Sequence, residues 1–367
     1  MRRRITCCVK YENAIRNRQS TCLERAHRGQ HRVFLVLLIT IVLAACQSGP
    51  PPFECTDAIG CVTIGPDEPV EIGVIQALSG EVATLGVDQV RGLELALADR
   101  EGQLLGHPVQ LRSEDDLCSR EGGTVAAEKL KGVPQLVAIF GTTCSGAAVP
   151  AAKILSEAGL TMISGGNTAP SLTSVSGQAG ADWQPGYFRT AHNDANQGRA
   201  AATFVVQELG IRKAATINDG DTYTRGLTDV FGQVFTELGG KIVLATAINK
   251  GDTDMRPVLE AVAASEAEIL FFPLFEPESH FVTLQAKEVD GLAGISLMTG
   301  DGSLTPTFIQ AVGSSGAGIY LVGSATPESA AYQVFVANYQ SAYNQVPSSS
   351  MLAPAYDAAK LLLDTIE

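Results

Sequence analysis

From about residue 70 onward, short apolar runs alternate with longer stretches whose apolar residues recur on a helical spacing. Glu71–Gln76 (EIGVIQ) predicts a buried strand, and Asp88–Arg100, with Val90, Leu93, Leu95 and Leu97, predicts a helix after it. The rhythm continues through strand Val109–Arg112, helix Thr124–Lys131, strand Leu136–Phe140, helix Ala147–Ala158 and strand Thr161–Ser164. A Ser/Gly/Pro-rich loop, Ala169–Gln184, interrupts it. Helix Gln197–Leu209, strand Ala214–Asn218, helix Gly226–Leu238, strand Ile242–Ala247 and helix Met255–Ala264 follow. Strand Ile269–Pro273, helix Ser279–Val289, strand Ile295–Met298, helix Pro306–Val312 and strand Ile319–Val322 complete the alternation. Two helical stretches, Ala330–Tyr343 and Ala353–Ile366, come last. Short strands alternating with longer helices imply parallel βαβ units, and hence an α/β fold of two doubly wound halves.

In open parallel sheets a ligand sits outside the carboxyl ends of the strands. The loops at those ends are rich in Ser, Thr and Gly: QALSG at 76–80, GTTCSG at 141–146, SGGNT at 164–168, NDGDTY at 218–223, LFE at 274–276 and TGDG at 299–302. Ser79 and Ser145 each precede a helix start. A hydroxyl beside free helix N–H groups suits a carboxylate, and it equally suits an ordinary N-cap. Catalytic motifs are missing: there is no GxGxxG, no GxxxxGK[ST] and no GxSxG. His107, His192 and His280 have no motif partner and read as surface or hinge residues, and Asp115-Asp116 reads as a solvated strand-end cap.

Charge narrows the partners. The chain carries 26 Lys and Arg against 39 Asp and Glu. Nine of the bases and two of the acids fall in residues 1–45, leaving 17 bases against 37 acids in the body, a net of −20. So acidic a body is repelled by a phosphate backbone and by anionic lipid, which argues against nucleic-acid binding and against docking onto an anionic membrane by charge.

Residues Val33–Ala45 (VFLVLLITIVLAA) form an apolar run of 13 behind Arg28, His31 and Arg32. That is shorter than the about 20 residues of a membrane span and matches the apolar region of a signal peptide. The run ends Leu43-Ala44-Ala45-Cys46, which resembles a bacterial lipobox with Cys46 as the lipidated residue; a signal peptide cleaved elsewhere is the alternative. The Gln-Ser-Gly-Pro-Pro-Pro that follows suits a spacer, so 46–69 reads as a tether. Residues 1–32 are long for a leader and carry Cys7, Cys8 and Cys22, which an upstream start codon would explain. Four cysteines then remain, Cys55, Cys61, Cys118 and Cys144, an even number consistent with disulfides in an exported chain. Cys55 and Cys61 are placed to close a small loop, and Cys118 and Cys144 lie at strand-end loops of neighbouring units. The intervening 5, 56 and 25 residues match no zinc pattern, so neither a metal nor another cofactor is expected.

Six stretches in order carry a resemblance to the leucine/isoleucine/valine-binding type of periplasmic solute-binding protein, which serves ABC importers. They are IGVIQALSGEVATLG at 72–86, SEDDLC at 113–118, GTTCSGAAVPAA at 141–152, MISGGNTAPSLT at 162–173, FRTAHNDANQG at 188–198 and FFPLFEPES at 271–279. The resemblance spans about residue 70 to the end. It implies two Rossmann-like lobes with parallel sheets joined by a hinge, 70–192 plus 325–367 as lobe one and 193–324 as lobe two. It implies a disulfide between Cys118 and Cys144, a small-molecule ligand, an ABC permease and ATPase as partners, and a lipid-anchored location outside the cytoplasmic membrane.

The resemblance also assigns roles. Ser145 falls where a hydroxyl binds an amino acid's α-carboxylate, Thr168 where a threonine shares that task, and Gly166 where a backbone group meets the ammonium. Tyr223 matches a tyrosine on the second lobe's face of the cleft, and Asp301 an acid that pairs with the ammonium. Three positions depart from the pattern: Leu85 replaces an aromatic, Phe275 a tyrosine, and Asp301 a glutamate one methylene longer. Relatives carry a last crossing segment beyond the position of Glu367. The expectation is a non-enzymatic binding protein for a branched-chain or other apolar amino acid. A sensory receptor module is the rival, as are amide, urea-like and aromatic-acid ligands; an exported hydrolase is disfavoured by the missing nucleophile motif, and a soluble repressor by the signal peptide.

Overall fold

The computed structural model describes residues 54–56, 61–175 and 177–367. The expected signal peptide at 1–45, Cys46 and residues 47–53 and 57–60 of the expected tether lie outside the described residues. Of the segment Met1–Thr56, Glu54, Cys55 and Thr56 are described, all exposed and without regular structure.

The rest is built on two sheets. In the first, six strands run in the order β2-β3-β1-β4-β5-β8. Its centre is β1 (Val70–Gln76), buried along all seven residues and parallel to both β3 (His107–Asp115) and β4 (Leu136–Gly141). β5 (Met162–Ser164) and β8 (Tyr187–Arg189) extend it in parallel, and β2 (Gln103–Leu104) is an antiparallel edge. Alternation along β1 sends Ile72 and Val74 to one face and Ile75 to the other. A Cβ at Gly73 would lie 2.4 Å from Ile139 Cδ1, so a larger residue there would force the side chains packed on this face to shift. The Ile72 face is covered by α1 (Ala83–Ala98) and by the last helix, Leu352–Ile366, through Leu93, Ala355, Ala359 and Leu363. The Ile75 face is covered by α2 (Arg120–Leu130) and α3 (Ser145–Glu157), through Ala126, Leu130, Ala151 and Leu155.

The second sheet has five strands, all parallel, in the order β10-β9-β11-β12-β13. These are β9 (Lys213–Asn218), β10 (Lys241–Ala247), β11 (Ile269–Phe271), β12 (Ser296–Thr299) and β13 (Tyr320–Leu321). Helices α4 (Asp194–Gln207) and α5 (Thr222–Glu237) pack on one face with Val205, Phe231 and Phe235. On the other, α6 (Arg256–Ala264) and α7 (Glu278–Gln285) contribute Leu259 and Val282. α8 (Pro306–Val312) lies between β12 and β13 in the chain. The expected α/β class with parallel sheets in two lobes is therefore observed.

The C-terminal helices α9 (Ala330–Tyr343) and α10 (Leu352–Ile366) return to the first sheet's side. Asp88 in α1 is fully buried and holds them: its Oδ1 accepts from the Tyr339 hydroxyl at 2.7 Å, and its Oδ2 from the Ser348 amide and hydroxyl at 2.9 and 2.7 Å.

Several boundaries differ from expectation. The helices expected from Thr124, Ala147 and Gly226 begin at Arg120, Ser145 and Thr222. Ser119 and Asp221 are N-caps, accepting from the Gly122 and Tyr223 amides at 3.0 and 2.8 Å, and each cap recruits a further turn ahead of the apolar periodicity. The helix expected to reach Val289 stops at Gln285. The loop Ala169–Gln184 holds a small hairpin, β6 (Ser174–Val175) with β7 (Gln178–Ala179), and strand β8 beyond it adds to the expected alternation.

Candidate functional site

The carboxyl ends of both sheets meet around one narrow cavity. Leu85, Ser145, Gly166 and Thr168 line it from the first sheet's side, and Tyr223, Phe275 and Asp301 from the second's. All seven residues that the sequence singled out for binding are thus brought together, and all are buried. About 10 Å3 is open to the centre of a water-sized sphere, room for about one water molecule. An organic solute therefore enters only if the walls part.

One wall offers donors. α3 begins at Ser145 with Cys144 before it and no side-chain cap, so its first-turn N–H groups keep their partial positive charge. Ser145 Oγ accepts from the Ala169 amide at 3.2 Å, which leaves its own hydrogen for another acceptor. The start of α3 is fixed covalently: Cys118 and Cys144 form a disulfide with Cα atoms 5.2 Å apart, the pairing the resemblance implied. Cys55 and Cys61 are also in disulfide form.

The opposite wall offers a carboxylate. Asp301 is 1 % exposed. Its Oδ1 accepts from the Tyr223 hydroxyl at 2.8 Å and from Gln197 Nε2 at 2.9 Å. Its Oδ2 has no hydrogen-bond partner among the described residues. A buried carboxylate oxygen left over in a site is costly and invites a cationic donor. Burial raises the Tyr223 phenol well above its ordinary range, and the carboxylates of Asp301 and Asp194 add to that, so Tyr223 stays a donor. The Gly302 amide donates to the Tyr223 phenol oxygen at 3.2 Å. Gly166 N donates to Ser164 Oγ at 3.0 Å, so its carbonyl is the group it can offer. A Cβ at Gly166 would fall 2.7 Å from the Gln89 side-chain amide, so a larger residue there requires Gln89 to shift. Leu85, Phe275 and Met351 supply the apolar lining, with the Tyr223 and Phe275 ring centroids 4.9 Å apart.

Thr143, Gly302 and Met351 line the cavity without having been singled out. Behind it stand three more residues: His192, expected as a surface or hinge residue, and Asp194 and Gln197, which carried no assigned role. All three fall in the stretch FRTAHNDANQG, so the signal was present without its geometry. His192 Nδ1 bonds Ser324 Oγ at 2.7 Å and its Nε2 bonds Gln197 Oε1. One imidazole therefore ties the segment near residue 192 to that near 324. Two expectations need correction. Asp115 is a cap, its Oδ1 accepting from the Leu78 and Leu117 amides at 3.0 and 2.9 Å, but Asp116 is fully buried rather than solvated. His280 is no surface residue: its side chain is 12 % exposed and faces buried Glu276 at 3.0 Å. No group of side chains fit to hold a metal ion occurs among the described residues.

Two sheets of parallel strands whose strand-end loops close on a small cavity, donors on one side and a carboxylate on the other, have the frame of a solute-binding protein. The chain belongs to the periplasmic binding protein family, whose profile matches residues 69–367. It is similar to an amino acid binding protein of Pseudomonas aeruginosa, 31% identical over 246 residues, 66% of this chain and 63% of that protein. The match thus spans just under two thirds of that relative's own length. A Leu/Ile/Val-binding protein of Rhizobium johnstonii is 28% identical over 301 residues, 81% of this chain and 79% of the relative. Among solved structures, a leucine-binding protein of Thermotoga maritima superposes with a TM-score of 0.72 at 26% identity, covering 81% of this chain and 82% of its own. An ABC-transporter solute-binding protein of R. palustris in complex with benzoate gives 0.71 at 25% identity, covering 80% and 79%.

Proposed function

We propose that this protein is the extracytoplasmic binding component of an ABC importer, which captures a small apolar amino acid by closure of two lobes and presents it to a permease and ATPase. Lobe one is 70–192 plus 325–367 and lobe two is 193–324, with crossings near His192–Asn193 and Ser324–Ala325. The observation that carries the ligand class is the pairing, in one buried cavity, of the open donors at Ser145 and the start of α3 with Asp301 Oδ2, which has no hydrogen-bond partner among the described residues. A zwitterion satisfies both ends; an aromatic acid satisfies one. Leu85, Phe275 and Met351 favour an apolar side chain between them. Closure is stabilised by contacts made in the shut state alone, with Tyr223, Phe275 and Asp301 joining a ligand already held by Ser145 and Gly166. The run Val33–Ala45 followed by Cys46 supports export and lipid anchoring to the outer face of the cytoplasmic membrane.

The rival ligand class, aromatic carboxylates, is favoured by the benzoate complex of a similar fold. A thermal-shift screen separates the two. L-leucine, L-isoleucine and L-valine should each raise the melting temperature saturably, since a solute bound only by the native state stabilises it. A response to benzoate with none to the amino acids would overturn the ligand assignment.

A further inference from the structure

The inference concerns a residue behind the cavity, and it rests on the amino-acid reading above. Asp194 opens helix α4 and is fully buried. It meets Thr168 twice: its amide donates to the Thr168 carbonyl at 3.0 Å, and its Oδ2 accepts from Thr168 Oγ1 at 3.0 Å. A hydroxyl has one hydrogen and two lone pairs. With the hydrogen committed to Asp194, Thr168 turns lone pairs toward the cavity it lines. Ser145 is set the other way, since its oxygen accepts from Ala169 and its hydrogen is left over. Two hydroxyls of one loop cluster thus face the solute with opposite polarity.

We infer that Asp194 is a positioning residue that selects for an α-ammonium, by holding the Thr168 hydroxyl as an acceptor. Thr168 then sides with Asp301 against the ammonium, rather than with Ser145 against the carboxylate as the resemblance suggested. The charged and titratable groups around Asp194 agree with that demand. Its Oδ1 has no hydrogen-bond partner among the described residues and lies 3.8 Å from His192 Nε2, which is also 3.8 Å from Asp301 Oδ2. Burial and then Asp301 push the Asp194 carboxyl well above its ordinary range, while Thr168 and Arg189 pull it down. Its charge also helps to raise the Tyr223 phenol. An ammonium arriving at Thr168 and Asp301 favours the ionised form of Asp194, so solute and acceptor geometry reinforce each other.

The test compares L-leucine with 4-methylpentanoate, the same skeleton without the amine, by calorimetry on the wild type, Asp194→Ala and Thr168→Val. In Asp194→Ala the Thr168 hydrogen is released. Leucine should weaken roughly tenfold, the scale of one charged hydrogen bond, while 4-methylpentanoate holds or tightens. Thr168→Val should likewise weaken leucine and spare the analogue, and it keeps the idea testable should Asp194→Ala fold poorly. A purely structural role moves both ligands equally, and equal losses in either variant overturn the assignment of Asp194 alone. A wild type that ignores leucine overturns the amino-acid reading, and this assignment with it.

Discussion

The two walls of the cavity are built on different principles. The first sheet's wall is backbone and hydroxyl: the start of α3, Ser145, and Gly166 packed against the Gln89 side-chain amide. It is pinned by a disulfide and buried under α1 and α10. The second sheet's wall is side chain: a carboxylate aligned by a phenol and an amide, Tyr223 and Gln197. A wall of backbone dipoles is preorganised whether or not the solute is present, because the helix and the strand-end loops fix where its groups point. A wall of side chains depends on a hydrogen-bond network and on the position of the lobe that carries it. The contrast suggests a division of labour, in which the first wall receives the solute and the second decides whether the lobes stay shut.

The largest effect should come from the second wall. Asp301→Ala removes the carboxylate that Tyr223 and Gln197 orient, and with it about two charged hydrogen bonds to an ammonium. L-leucine binding should fall at least ~100-fold, or about 3 kcal/mol, while the melting temperature without solute stays within a few degrees. Isothermal titration measures the first and calorimetric melting the second. Unchanged affinity would remove Asp301 from the site and dissolve the contrast.

How much of this was legible beforehand follows the same division. The first wall sits in contiguous loops right after strands, and GTTCSG and SGGNT were visible as such. The alternation of strands and helices gave the two-halved α/β class from hydrophobic spacing alone. Asp301 was read from a resemblance, since an aspartate between two glycines is locally indistinguishable from a turn residue. What stayed hidden was whatever depends on distant partners. Gln197 reaches Asp301 across 104 residues, His192 reaches Ser324 across 132, and Met351 enters the cavity from a Ser-rich stretch with no periodicity. The helix starts differ for another reason: Ser119 and Asp221 are ordinary capping residues whose signal is local, and Asp221 places Tyr223 in a first helical turn.

A second experiment probes how far the first wall depends on its covalent pin. Replacing Cys118 and Cys144 together by Ala opens a cross-link between residues 26 apart. In the chain-entropy description such a loop contributes about 3 kcal/mol, chiefly by restricting the unfolded chain. Urea unfolding should show that loss, and leucine affinity should change by less than about threefold, because the hydrophobic face of α3 still seats it on the sheet. A collapse of affinity with stability intact would mean that the disulfide sets the donor geometry, and the first wall would then be no more preorganised than the second.

The smallest effect concerns Asp116, which belongs to the same wall but carries a charge that the wall does not use. It is fully buried at the end of β3, with Oδ1 accepting from the Cys118 amide at 2.7 Å and Oδ2 without a partner among the described residues. Burial pushes its carboxyl up to about 6, against the pull of the Cys118 and Thr143 amides. The sign follows from proton counting. The folded chain holds this proton more tightly than the unfolded chain, so stability falls as pH rises from about 4 to 6 and stays lowered above that. Asp116→Asn keeps an acceptor for Cys118 and removes the buried charge. It should stabilise the protein by about 1–2 kcal/mol at pH 7.5 and by nearly nothing at pH 4.5. Urea titrations at the two pH values measure this directly. A gain of equal size at both would show that the charge of Asp116 is not what strains the first wall, and that its rigidity is a matter of packing alone.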